Sequence, residues 1–278
     1  MMRQDKPTAF GPLLPTEGVH VIHAFYRIEH GQWALFGEAE RRKAKTRFSQ
    51  LVQDVRALPG TQLLTFSMVS PKADLGIMLL TPDLQDADRI SKQIGLALGA
   101  DVLDPVYSWL SMTERSEYTT SDEEFGKTLE TDENLTAGTP EYEARMESFR
   151  ERMKKYGKDR LEPNMPDWPV FCFYPMSKRR LPGQNWYGLD FEARKQLMAG
   201  HAKVGRTYAG KVRQLITGST GLDDQEWGVT LFAQSTSEIK SIVYEMRFDK
   251  VSVEYAEFGE FFIGIQLPLD ALFDRLEL

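Results

Sequence analysis

The chain has 278 residues and 31.8 kDa, with 41% hydrophobic and 27% charged residues, which leaves ample core for one large or two medium domains and excludes wholesale disorder. A net charge of −7 and an isoelectric point near 5.3 argue against a nucleic-acid binder with a broad basic surface. The single cysteine, Cys172, excludes an internal disulfide or a thiolate cluster, and no signal peptide or stretch of roughly 18 uncharged apolar residues is evident, so a soluble, cytoplasmic protein is expected.

A Pro- and Gly-rich start reads as an extension over residues 1–17. Residues 19–28 then alternate like a strand. Helical spacing over 33–58 ends at Pro59-Gly60, and strands are expected at 62–69 and 74–80. A helix over 84–98 stops at Gly99, and a strand over 106–113 closes the set, so 18–116 reads β-α-β-β-α-β. Residues 117–168 are polar and charged. Their acidic first part reads as a solvated linker, with a helix expected over 140–156, and the insertion either connects the two halves or covers a site. Over 169–278 the order repeats: a strand at 170–176, a helix carrying His201 to Gly210, strands at 211–217 and 227–233, a helix at 237–247, one or two strands within 251–266, and a short helix at 269–276. Asp74-Leu75-Gly76-Ile77 and Glu226-Trp227-Gly228-Val229 occupy matching places. The expected class is α+β: ferredoxin-like βαββαβ repeats in one chain, their sheets joined into a dimeric α/β-barrel.

His201 is the one histidine beyond the first thirty residues. At helical spacing it shares a face with Leu197, Val204, Gly205 and Tyr208, and that face should point inward. A buried imidazole needs a hydrogen-bond partner, the commoner case, or a metal such as haem iron. Lys178, Arg179 and Arg180 follow Tyr174 at the end of a strand and read either as a compact anion-binding cluster or as a solvated run. Gln214 alternates with Val212 and Ile216, so it is a neutral polar side chain on an apolar face, bonded to backbone or aimed at a ligand. Arg247 ends a helix and suits its C-terminus.

Taken together, YPMSKRR, GQNWYGLDFEARKQLMAGHAKVGRTYAGKVRQLITGSTG, EWGVTLFAQ and YEMRFDKVSVEYAEFG resemble the chlorite-dismutase-like haem protein family, and more narrowly its coproheme decarboxylase branch of Gram-positive type. The resemblance is continuous over about residues 160–264, while in the first half it rests on element order and length. It implies that His201 is the axial ligand to haem iron, that Tyr174 becomes a radical and takes hydrogen from a propionate, and that Lys178 lies near the second propionate to react. It places Arg160, Arg247 and Ser252 on propionates, Met176 and Trp186 along the porphyrin, and Gln214 where chlorite-degrading members carry arginine. The implied reaction is hydrogen-peroxide-dependent oxidative decarboxylation of iron coproporphyrin III (coproheme) to haem b. A homopentamer and a transient contact with the coproporphyrin ferrochelatase are implied as well. Other readings are a non-catalytic haem-binding or haem-sensing protein, a chlorite dismutase, which the neutral Gln214 disfavours, and a duplicated domain without cofactor.

Overall fold

The computed structural model describes residues 11–278, so most of the expected N-terminal extension lies outside the described residues. The first half comprises β1 (His20–Ile28), a short α1 (His30–Ala34), α2 (Glu38–Arg56), β2 (Gln62–Met68), β3 (Leu75–Thr81), α3 (Leu84–Ala97) and β4 (Leu103–Thr113). The single helix expected over 33–58 is therefore broken. The chain turns at Gly37, whose N–H donates to Glu40 Oε2 at 2.9 Å and starts α2 afresh.

The insertion is more ordered than its composition suggests. It holds α4 (Asp122–Thr131) and α5 (Pro140–Leu161). The acidic stretch read as linker starts a helix because Ser121 accepts from the Glu124 N–H while the Glu124 carboxylate accepts from Ser121 N–H. Phe125 stacks on Phe149 with ring centroids 4.2 Å apart, which packs α4 on α5.

The second half comprises β5 (Val170–Lys178), a ribbon of β6 (Arg180–Leu181) and β7 (Gln184–Asn185), α6 (Phe191–Thr207), β8 (Val212–Gly218), β9 (Trp227–Ala233), α7 (Thr236–Met246), α8 (Lys250–Tyr255), β10 (Ala256–Phe258), β11 (Phe262–Gln266) and α9 (Leu269–Arg275). Of the expected strand region 251–266, residues 256–258 and 262–266 are strands, but residues 251–255 are helical. Asp249 is the reason: its Oδ1 accepts the N–H groups of Val251 and Ser252, an N-cap that overrides the alternation of VSVEY.

Strand order establishes the duplication. The first half runs β2-β3-β1-β4 and the second β8-β9-β5-β11, which is one ferredoxin-like order twice. β4 pairs with β8 and β11 with β2, so the ladder of antiparallel pairings returns to its starting strand. Inside lies an aromatic core drawn from both halves, with Phe66 stacked on Phe171 at 3.9 Å and Phe25 on Phe262 at 4.2 Å. Each such pair adds about 1 kcal/mol beyond burial.

The short shared signature acquires a structural meaning. Asp74 and Glu226 precede β3 and β9 at the same register, with Tyr26 opposite Leu75 and Met176 opposite Trp227. Asp74 Oδ2 accepts the N–H of Ile28, the last residue of β1, at 2.8 Å, and Glu226 Oε2 accepts the N–H of Lys178, the last residue of β5, at 2.7 Å. Each acid thus pins the end of its repeat's first strand. Gly228 is required by close approach, since a Cβ would lie 2.7 Å from Trp109 Nε1 and 3.1 Å from Phe173; at Gly76 a Cβ would meet only the flexible Met68 Sδ, at 2.6 Å, this closely.

Candidate functional site

Alternation along β5 sends Phe171 and Phe173 into the aromatic core and Cys172, Tyr174, Met176 and Lys178 to the opposite face, beneath α6, α7 and α8. On β8 the same face carries Val212, Gln214 and Ile216. This surface, roofed by helices that carry His201 and Asp249, collects most of the residues singled out from the sequence.

His201 sits on α6, which has no fully buried residue, so the expected inward face is half-open rather than core. Its Nδ1 lies 2.9 Å from Asp249 Oδ2, and the same oxygen accepts from Ser252 Oγ at 2.7 Å. Facing a carboxylate, Nδ1 carries the proton, which leaves Nε2 as a lone-pair donor without a hydrogen-bond partner among the described residues. Burial would raise the Asp249 carboxyl, but hydrogen bonds from His201, Ser252 and Val251 outweigh it and hold the group below its usual range. One turn beyond His201, a methyl added to Gly205 would stand 3.4 Å from Gln214 Nε2. Gln214 and α6 therefore face each other across a narrow gap.

Tyr174 is buried, its ring 4.3 Å from Phe261 and 5.8 Å from Phe258. Burial drives its phenol well above the usual range, Cys172 adds to the rise, and Arg247 opposes it. The group is a neutral O–H. The Arg247 guanidinium lies 3.7 Å over the Phe258 ring and, with Arg179, Ser252 and Phe261, lines a cleft of about 550 Å³.

The basic run does not form one cluster. Arg179 Nη1 donates to the carbonyls of Val253 and Glu254 at the end of α8, and Arg180 pairs with Glu226. Lys178 is the buried one of the three, its Nζ 4.4 Å from the centroid of the buried Trp186 ring, while Arg179 reaches the cleft beside Arg247. Burial lowers the Lys178 ammonium to about 8, against the pull of Asp249 and Glu226. Below pH 8 folding therefore carries the full cost of burying this cation, and the cost is relieved as pH rises from 8 toward its ordinary value of 10.5. Lys178→Met should stabilise the cofactor-free protein at neutral pH by up to about 3 kcal/mol, with the gain vanishing toward pH 10.5. Urea unfolding of both proteins across that range measures it, and a constant difference would count against the assignment.

Arg160 stands at the margin, its Nε donating to the Glu114 carbonyl at 3.3 Å. The Glu114 carboxylate accepts from Trp227 Nε1 at 3.2 Å, and Trp227 is paired with Met176. Asp249 and Tyr118 escaped the sequence reading, and Glu226 was read there only as part of the signature shared with Asp74. Tyr118 brings the insertion into the site, edge-on to Trp186 at 6.4 Å and stacked on Phe191 at 5.9 Å, while Glu124 forms an ion pair with Lys195 of α6. An Asp placed before Lys-Val-Ser is an N-cap signal that could have revealed Asp249. For Tyr118 the sequence carried no signal.

A sequence model of the chlorite dismutase family matches residues 41–267. The chain belongs to the chlorite dismutase family. Among solved structures, it resembles a protein of Thermus thermophilus described as a novel heme-binding protein, at 35% identity over 94% of this chain and 96% of that one, with a TM-score of 0.78. It shares the fold of the chlorite dismutase of Candidatus Nitrospira defluvii, solved in complex with imidazole, at 21% identity, 95% and 97% coverage and a TM-score of 0.70. Among the described residues of this family member no helix is long and apolar enough to cross a membrane, and no cluster of His, Cys, Asp and Glu forms a multi-ligand metal site.

Proposed function

We propose that this protein binds iron coproporphyrin III and converts it to haem b with hydrogen peroxide, removing two propionates in turn. The observation that carries this reading is that a buried phenol at Tyr174 and a buried ammonium at Lys178 share one face of β5, next to the helices that hold the carboxylate-backed His201. The residues fit such a group. A neutral imidazole with Nδ1–H held by Asp249 offers Nε2 to iron. Met176, Ile216, Met246 and Val229 give apolar walls, while Lys178 and Arg247 give cations for carboxylates. Family membership and likeness to the Thermus protein, described as heme-binding, support the same cofactor class.

When bound, the iron porphyrin would supply the oxidising chemistry that peroxide drives. The chain's own part is proton and hydrogen handling. Tyr174, kept protonated by burial, gives up its phenolic hydrogen and then, as a radical, takes one from the β-carbon of a propionate. Lys178 and Arg247 hold the carboxylates, and Gln214 stands on the opposite wall to His201 without adding charge. For each propionate the balance is R–CH2–CH2–COOH plus H2O2 giving R–CH=CH2, CO2 and two waters, so peroxide is reduced as the side chain is oxidised.

The test is a peroxide titration of protein reconstituted with iron coproporphyrin III, followed by mass spectrometry of the porphyrin. Successive losses of the elements of formic acid are expected at two propionates. Tight binding without mass loss would leave a haem-binding protein, and oxygen release from chlorite would turn the assignment to a chlorite dismutase.

A further inference from the structure

The geometry points to Glu226 as the residue that positions Lys178, by joining the end of β5, the Trp186-bearing ribbon and the start of β9 through one buried carboxylate. Its side chain is 5% exposed. Oε2 accepts the Lys178 N–H at 2.7 Å, while Oε1 accepts from Tyr187 Oη at 2.6 Å and from the Arg180 guanidinium. Arg180 lies over the Tyr187 ring and pairs with Asn185, and Asn185 and Tyr187 bracket Trp186 in the chain, whose ring lies against the Lys178 ammonium. The carboxylate thus holds the backbone of the lysine and, through Arg180 and Tyr187, the segment carrying the ring against which its charged end rests.

The first repeat separates what is structural here from what is not. Asp74 makes the equivalent bond to Ile28 N, and Asp74 N–H donates to Tyr26 O at 2.8 Å as Glu226 N–H donates to Met176 O at 3.0 Å. Pinning the strand end therefore needs only an acid at this register. In the second repeat the acid is one methylene longer, the pinned residue is a cation, and an arginine and a tyrosine have been added to the same carboxylate. Those additions act on Lys178 electrostatically. Glu226 and Asp249 are the anions that bear on its ammonium, Arg180 partly neutralises Glu226, and His201 and Ser252 hold Asp249. That Lys178 holds a substrate carboxylate rests on the function proposed above; its placement by Glu226 does not.

The test is made on the cofactor-free, full-length protein, with lysines 13C-methylated reductively and the Lys178 resonance assigned by its loss in Lys178→Met. Glu226→Gln keeps the size and an acceptor for Lys178 N–H but removes the charge, and should lower the Lys178 titration midpoint by about one pH unit. Arg180→Met, at a mostly exposed side chain, should leave Glu226 less neutralised and move the midpoint upward. Opposite shifts are the expected result. Movement in the same direction would overturn the inference, and should Glu226→Gln fail to fold, an Arg180→Met protein whose midpoint stays at or falls below the wild-type value would overturn it alone. Neither readout depends on iron or peroxide, so a protein inactive in decarboxylation can still confirm Glu226.

Discussion

Tyr174→Phe is expected to bind iron coproporphyrin III within about threefold of the wild type and to lose the first decarboxylation by at least three orders of magnitude, equivalent to about 4 kcal/mol of barrier. The substitution is nearly silent for the fold. The ring stays against Phe261 and Phe258, and the phenol oxygen has no hydrogen-bond partner among the described residues whose loss would cost stability. What disappears is one O–H on the β5 face shared with Lys178. Because burial holds that phenol far above the usual range, no phenolate limb should appear in the pH–rate profile while the protein stays folded. Single-turnover kinetics with peroxide, read by porphyrin mass, measure the effect. Wild-type turnover in the Phe variant would return Tyr174 to the role of a packed aromatic.

A second large effect concerns stability. His23 is fully buried, its Nε2 2.9 Å from Thr230 Oγ1 and its ring 4.0 Å from Phe173, and burial lowers its titration from 6.5 to about 3. The folded protein keeps this imidazole neutral while the unfolded chain protonates it. Stability from this group is therefore complete above pH 6.5 and is lost as pH falls toward 3, by about 5 kcal/mol over the window. That is a large share of the roughly 5–15 kcal/mol typical of a folded domain. His23→Phe should cost roughly 1–3 kcal/mol at neutral pH, because Thr230 loses its partner, yet flatten the acid limb. Urea unfolding at about pH 7, 5 and 4 distinguishes the proteins, and parallel acid limbs would show that His23 is not the group responsible.

These histidines illustrate what the sequence could and could not yield. His201 was legible because it stands on a helical stripe within a run of family motifs, and Tyr174, Met176 and Lys178 were singled out by the same motifs; that the three share a face follows only from the extension of β5 beyond residue 176 to Lys178. Element order was legible for the same reason: the repeats are regular and their turns carry glycine. Tertiary capping was not. VSVEY alternates like a strand, and only the Asp249 side chain, bonded to two N–H groups and to His201, makes it a helix. Nor does polarity distinguish a linker from a helix whose few apolar residues, Phe125 and Leu129, are all used in packing. The three consecutive basic residues looked alike in sequence and diverge in space because α8 and Glu226 each claim one of them.

The matching acids before β3 and β9 also bring the two halves into residue-by-residue correspondence. Where the second half has Tyr174, Met176, Lys178 and Gln214, the first has Ala24, Tyr26, Ile28 and Leu63, and all of these belong to a closed apolar cluster under α2 and α3. The molecule thus contains a pseudo-symmetric twin of its candidate site, sealed with hydrocarbon. The two halves differ in what fills the same backbone positions: hydrocarbon in the first, a phenol, a cation and an amide in the second.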